Sequence, residues 1–266
     1  MQLIDLTLAT PEENLALDEA LLDAAEAGEA ADEVLRLWES PQPIVVVGRS
    51  SRVEDEVDGD YCRATRIPVL RRCSGGAAVV AGPGCLMYAV VLGLARRPAL
   101  RAVDHAHREV LGRIAAALAP LAPRVACRGT SDLVLESAAA AAACAGSGGS
   151  ATASPVRCPE AAETAAVKFS GNSIRSKRGH LLYHGTLLYD FPLEQIERCL
   201  AMPPRQPAYR GGRPHGQFLA NLPLPAAILR HVLATAFAAT EPATSWPEQR
   251  TAQLVAARYG RRQWNA

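Results

Sequence analysis

Three short segments combine glycine, hydroxyl and charged residues in a way that a plain core does not require. The first runs Arg71-Arg72-Cys73-Ser74-Gly75-Gly76-Ala77-Ala78-Val79-Val80 and continues to Gly82-Pro83-Gly84. Glycines let backbone N–H groups approach an anion, and arginine adds charge and paired donors. The segment therefore reads as a candidate anion site; the plainer reading is a tight turn between strands with surface arginines. The second is Val167-Lys168-Phe169-Ser170-Gly171-Asn172-Ser173. On a strand, Lys168 points away from its apolar neighbours Val167 and Phe169. Aimed into a cleft, its ammonium neutralises charge that builds as a carbonyl or a phosphorus is attacked. Aimed outward, it is an ordinary solvated lysine. The third is Tyr183-His184-Gly185-Thr186, set inside the apolar run Leu181 to Leu188. Gly185 marks the close approach of a ligand or another backbone. His184 is either part of a reacting site or a buried, hydrogen-bonded histidine.

Bulk properties narrow the classes. The 266 residues are 49% hydrophobic with a net charge of +1, so a sizeable core forms and no basic excess points to nucleic acid. A local basic cluster remains at Arg71, Arg72, Arg175, Lys177 and Arg178. The seven cysteines are odd in number and none are spaced C-x-x-C. That argues against a zinc site of usual spacing and a disulfide framework, and for a reducing, cytoplasmic setting; no dedicated protein metal site is expected. The N-terminus lacks a basic stretch followed by an apolar one, and no apolar run reaches spanning length, so neither a secretory signal nor a membrane helix is expected.

The elements that must hold these segments read as a mixed α+β domain. Thr10-Pro11-Glu12-Glu13 carries a helix cap, a proline suited to the first turn and a capping box. Apolar residues at Leu15, Ala16, Leu21, Leu22 and Ala25 continue that helix. Strands are expected at 34–38, 44–47, 68–71, 77–80, 87–92, 133–136, from Val167 and at 181–188. Further helices are expected at 103–118, 193–201, 224–239 and 247–259. Residues 137–166 are rich in Ala, Gly, Ser and Pro and read as a mobile surface insertion within a single domain spanning 1–266.

Taken together and in order, RRCSGGAAV, GTSDLVL, VKFSGNS and YHGTLLYDF resemble the lipoate–protein ligase and octanoyltransferase family, in the superfamily that includes biotin–protein ligases. ENLALDEALL, LRLWESPQPIVVVGR and RYGRRQWNA extend the similarity over nearly the whole chain outside the alanine-rich insertion. The resemblance implies mixed sheets flanked by helices, as in the catalytic domain of those ligases. It implies an enzyme that attaches lipoate, or octanoate, to one lysine of a lipoyl carrier domain. That carrier is a 2-oxoacid dehydrogenase acyltransferase subunit or a glycine cleavage carrier protein.

In the ligases ATP and Mg²⁺ first convert the acid to an acyl-adenylate. The family lysine maps onto Lys168, which then contacts the α-phosphate and the acyl oxygen. Arg72, Ser74, Gly75, Gly76, Ala77, Ala78 and Val79 map onto the segment that walls the acyl pocket and helps bind nucleotide. Asp132 matches an acid near metal or phosphates. Gly171, Asn172, Ser173, His184, Gly185 and Thr186 match the strands lining the pocket. The family's third glycine is Ala77 here, and Gly82-Pro83-Gly84 is closer to the octanoyltransferases. Those use a cysteine thioester without ATP, for which Cys127 and Cys73 are the candidates. The sequence ends where many ligases continue into an accessory domain, so the resemblance implies a separate accessory subunit. A non-catalytic, carrier-binding relative is the third reading.

Overall fold

The computed structural model describes residues 1–137 and 166–266. All but the two end residues of the 137–166 insertion lie outside them. The strands are β1 (Gln2–Asp5), β2 (Val34–Trp38), β3 (Ile44–Val47), β4 (Val69–Arg71), β5 (Val79–Ala81) and β6 (Cys85–Gly93), followed by β7 (Val125–Arg128), β8 (Asp132–Leu135), β9 (Val167–Ser176), β10 (His180–Leu188) and β11 (Glu241–Pro242). Among the described residues they form an eight-stranded sheet in the order β11-β1-β2-β6-β10-β9-β8-β7 and a three-stranded sheet in the order β4-β3-β5. The helices are α1 (Pro11–Ala27), α2 (Val53–Glu56), α3 (Gly59–Thr65), α4 (Val103–Leu118), α5 (Leu193–Cys199), α6 (His215–Phe218), α7 (Ala226–Ala236), α8 (Glu248–Leu254) and α9 (Arg262–Asn265). This is the α+β arrangement that the sequence pattern predicts.

Helix α1 starts where its cap residues place it. Thr10 Oγ1 accepts the Glu13 N–H, and the Glu13 carboxylate accepts the Thr10 N–H. Such a cap contributes about 1 kcal/mol. The two faces of β10 are covered differently. Leu181, Tyr183 and Leu187 join the core under α4 and α7, whereas Leu182 and Leu188 belong to clusters on the other face. With a side-chain period of two, His184 and Thr186 share the latter face, which looks toward the small sheet. The site forms in that gap.

Several elements differ from expectation. The pattern gives no sign of β1, β7 or β11, which are short strands of two to four residues; the partners of β11 and β1 are remote in sequence, whereas β7 forms a tight hairpin with β8. The 247–259 helix is an α-helix only to Leu254 and ends in a π-turn over Val255–Tyr259. Arg36 alternates with Leu35 and Leu37 on β2 and so lies on the opposite face, yet it is wholly buried. It pairs with Asp18 at 2.5 Å and donates to Asn14 Oδ1 at 2.6 Å, so α1 supplies the partners that burial of a guanidinium requires.

Candidate functional site

Lys168 sits on β9 beside a register irregularity between Leu133 and Val134 of β8. Phe169 turns into the α4-side core, and Lys168 projects to the opposite face. Its Nζ lies 2.7 Å from Asp132 Oδ1, and the Tyr209 hydroxyl donates to Asp132 Oδ2 at 2.7 Å. Burial first, and then the Asp132 charge, push the Tyr209 hydroxyl far above the usual tyrosine range, so it remains a donor. Gly171 leaves room for the ammonium, since a Cβ there would come within 3.0 Å of Nζ.

Lys168 is on a wall shared by two cavities. The larger, about 340 Å³, reaches Leu15, Val46, Met87 and His184. The smaller, about 100 Å³, is lined by Glu56, Ile196, Leu200, Arg210, His215 and Phe218 among others. Lys168, Gly171, Thr186 and Ala77–Val79 border both. Burial lowers the His215 pKa, the nearby Arg210 and Lys168 charges acting the same way, so His215 is a neutral donor or acceptor near pH 7.

The arginine–glycine segment does something other than what its composition suggests. Every guanidinium nitrogen of Arg72 donates to the chain itself: Nε to Ser74 Oγ, Nη1 to Val46 O, and Nη2 to Gly75 O and Ala77 O. Burial lowers its pKa to about 10. Arg71 likewise binds Gly48 O, Ser51 O, Trp264 O and Ala266 O. Neither arginine presents a free fork to an anion; both hold loops in place. Arg72 still lines the larger cavity with Gly76, Ala77, Ala78 and Val79, whereas Ser74 and Gly75 lie behind it. Gly76 carries the left-handed backbone, with φ +89°, and Ala77 does not. Alanine therefore fits where the family pattern has its third glycine.

His184 is buried. Its Nε2 is 2.5 Å from Ser74 Oγ and its Nδ1 is 3.5 Å from Asp18 Oδ2. Ser74 Oγ also accepts from Arg72 Nε at 3.2 Å, so the hydroxyl links the Arg72 guanidinium to the His184 ring. The close approach expected at Gly185 is made by a side chain: a Cβ there would lie 1.8 Å from Asn172 Oδ1. Asn172 accepts from the Tyr88 hydroxyl at 2.5 Å and donates to Ser131 O at 2.8 Å. Ser173 donates to Gly75 O at 2.8 Å and so ties the glycine loop to β9. Both also border the larger cavity.

Neither described candidate thiol approaches this arrangement. Cys127 pairs with Leu133, a residue of the α4-side core, whereas Lys168 pairs with Val134 on the other face. Partial burial pushes the Cys127 thiol up. Cys73 is buried against α1, and burial pushes its thiol up to about 12. Cys144 and Cys158 lie outside the described residues. No group of three metal-binding side chains occurs among the described residues. No helix there is long and apolar enough to cross a membrane. Sequence reasoning misses Asp18, Glu56, Tyr209, Arg210 and His215. Only Asp18 leaves a trace, as one of two adjacent acids, with Glu19, inside the apolar stretch Leu15-Ala16-Leu17-Asp18-Glu19-Ala20-Leu21-Leu22.

A lysine between two cavities, held by a carboxylate and framed by a glycine loop, is set on a two-sheet α+β scaffold. The chain belongs to the lipoyl protein ligase A/B catalytic domain family, which it matches over residues 10–223. It is 23% identical to lipoate–protein ligase 1 of Staphylococcus aureus over 215 residues, 81% of this chain and 54% of that protein. It is 37% identical to octanoyltransferase LipM of an Exiguobacterium species over 83 residues, 31% of this chain and 29% of that protein. The chain spans 25% to 54% of the length of the curated relatives it matches. In fold it is similar to a chain from the archaeal lipoylation system of Thermoplasma acidophilum, a bi-partite lipoate protein ligase and its E2 lipoyl domain. That likeness has a TM-score of 0.74 at 19% identity and covers 99% of this chain and 95% of that one.

Proposed function

We propose that this chain is a single catalytic domain that activates lipoate, or octanoate, with ATP and Mg²⁺ and passes the acyl group to a lysine of a lipoyl carrier domain. The observation that carries this reading is the position of Lys168 on the wall common to both cavities. The acyl chain occupies the larger cavity, where each buried CH₂ contributes about 0.8 kcal/mol. The nucleotide occupies the smaller one, and the carboxylate meets the α-phosphate beside Lys168. A carboxylate oxygen attacks the α-phosphorus and pyrophosphate leaves. The carrier lysine amine then attacks the acyl carbon, and AMP leaves. In both steps Lys168 lowers the energy of negative charge on the transferring oxygens without forming a bond to the substrate. Asp132 and Tyr209 keep its ammonium in place. Magnesium arrives with the phosphates, and Asp132 is the carboxylate beside Lys168.

The Thermoplasma system, with its bi-partite ligase and E2 lipoyl domain, supports a carrier of that type and a separate accessory subunit. Five free cysteines among the described residues suit the reducing cytoplasm. The octanoyltransferase reading has the LipM relative in its favour. Against it stand the placement of Cys127 behind the sheet and the raised thiol of Cys73. One experiment separates them. Incubation with lipoate, Mg²⁺ and α-labelled ATP is expected to yield acyl-AMP and pyrophosphate, with full activity in Cys127→Ser. Octanoyl transfer from an acyl-carrier protein without ATP, lost in Cys127→Ser, would establish the transferase instead.

A further inference from the structure

Glu56, at the end of α2, is a buried carboxylate that the chemistry above leaves unused. It is 8% exposed and lines the smaller cavity. Its position is held on three sides. Oε2 accepts the Ala78 N–H at 2.5 Å, its backbone oxygen accepts the Ala201 N–H at 3.0 Å, and the next residue, Val57, bridges to Leu200. Its other oxygen has no hydrogen-bond partner among the described residues. No lysine, arginine or histidine there forms an ion pair with it, and the nitrogens of nearby Arg72 are spent on backbone oxygens and Ser74. That oxygen is not one of the fully enclosed, unpartnered side-chain atoms of the described residues; it opens onto the cavity and can accept a donor from whatever fills it.

The cavity is also polarised. Its lining carries the cations Lys168 and Arg210, which attract phosphates, and the carboxylate Glu56, which repels them. The walls around Glu56 are apolar, from Leu188, Ile196 and Leu200, and suit a flat ring. Beside them runs β5, an edge strand of the small sheet. We propose that Glu56 reads the base of the nucleotide by accepting a hydrogen bond from the exocyclic amine of adenine. This rests on the ATP-dependent reading above. Guanine and hypoxanthine carry a carbonyl oxygen in place of that amine, which faces the carboxylate as acceptor against acceptor. Guanine's paired donors require both carboxylate oxygens, and Ala78 already holds one.

The test is equilibrium binding, by calorimetry with Mg²⁺ and no acyl acid, of ATP, ITP, GTP and 2′-deoxy-ATP. Wild-type protein is expected to bind ATP roughly tenfold to a hundredfold more tightly than ITP or GTP, with 2′-deoxy-ATP close to ATP. Glu56→Gln keeps an oxygen for Ala78 and turns an NH₂ toward the base, so the ATP-to-ITP ratio falls to about one or inverts. Pyrophosphate exchange is expected to follow the same order. The wild-type ratio needs no variant, so it stands even if Glu56→Gln folds poorly. Equal wild-type affinity for ATP and ITP, or a preference for GTP, overturns the assignment. So does a Glu56→Gln protein that weakens all four nucleotides alike, or one that loses only the distinction at the ribose. Wild-type protein that binds no nucleotide removes the ATP-dependent reading as well. ATP binding with an unchanged ratio in Glu56→Gln removes only the role of Glu56.

Discussion

Arg72 and Lys168 are both cations at the larger cavity, and the chain treats them in opposite ways. Each guanidinium nitrogen of Arg72 is committed to oxygens of its own loop and of β3. Among the described residues the Lys168 ammonium has one side-chain partner, Asp132, and its side chain keeps 24% of its exposure. An ammonium has three donors. Among the described residues two are left unused, and in the proposed reaction they go to the substrate. The difference teaches that charge in a glycine-rich segment is no guide to anion binding until its donors have been accounted for. A cation that braces backbone is structural; one left with spare donors at a cavity wall can act.

The largest expected effect separates these roles by activity. Lys168→Ala should lower kcat/KM for carrier acylation by roughly a hundredfold to a thousandfold, read by mass shift of the lipoyl domain. Near wild-type turnover would end the claim for Lys168. Arg72→Met should act mainly on stability instead. Stranding the carbonyls of Val46, Gly75 and Ala77 should cost roughly 3 kcal/mol. For a chain of this size that lowers Tm by roughly 6–12 °C. A melt shifted less than that of Lys168→Ala would erase the contrast between the two cations.

A smaller effect sharpens the Lys168 side of the comparison. Asp132→Asn keeps a polar group for Tyr209 but removes the charge that holds the ammonium. A loss of roughly tenfold in kcat is expected, with KM for the acid changed less. A change confined to KM would mean that Asp132 aligns substrate rather than Lys168. The smallest effect lies away from the site. His107, under the sheet, is bonded to the Tyr183 hydroxyl at 2.9 Å, and burial lowers its pKa from 6.5. Below about pH 6.5 the unfolded chain takes up a proton that the folded chain refuses, so stability falls with pH until the folded pKa is passed. Urea unfolding at two pH values should show a shallower fall in His107→Gln, by less than about 1.4 kcal/mol per pH unit.

Much of the scaffold is legible in the residues. The cap of α1, the long strands β6, β9 and β10, and α4 all follow from local patterning, because capping chemistry and apolar period act within a few residues. The site is legible only in part. Lys168, Asp132, Gly76 and the His184–Thr186 strip reach the cavities as their motifs suggest. Arg71 and Arg72 look like ligand-binding groups and are braces instead. Glu56, Tyr209, Arg210 and His215 carry no local signal. Each becomes meaningful only beside residues far away in the chain, as Tyr209 does beside Asp132, 77 positions earlier.

The amino-acid sequence by itself determined the α+β class and the family, and singled out Lys168 as the candidate. Those rest on motifs whose residues are neighbours in the chain. Only the tertiary structure decided what each charge is for. Whether a donor is spent or free depends on which backbone oxygens surround it once two sheets have closed over it. That enclosure made Arg72 a strut, set Lys168 on the wall between two cavities, and paired Cys127 with Leu133 of the α4-side core.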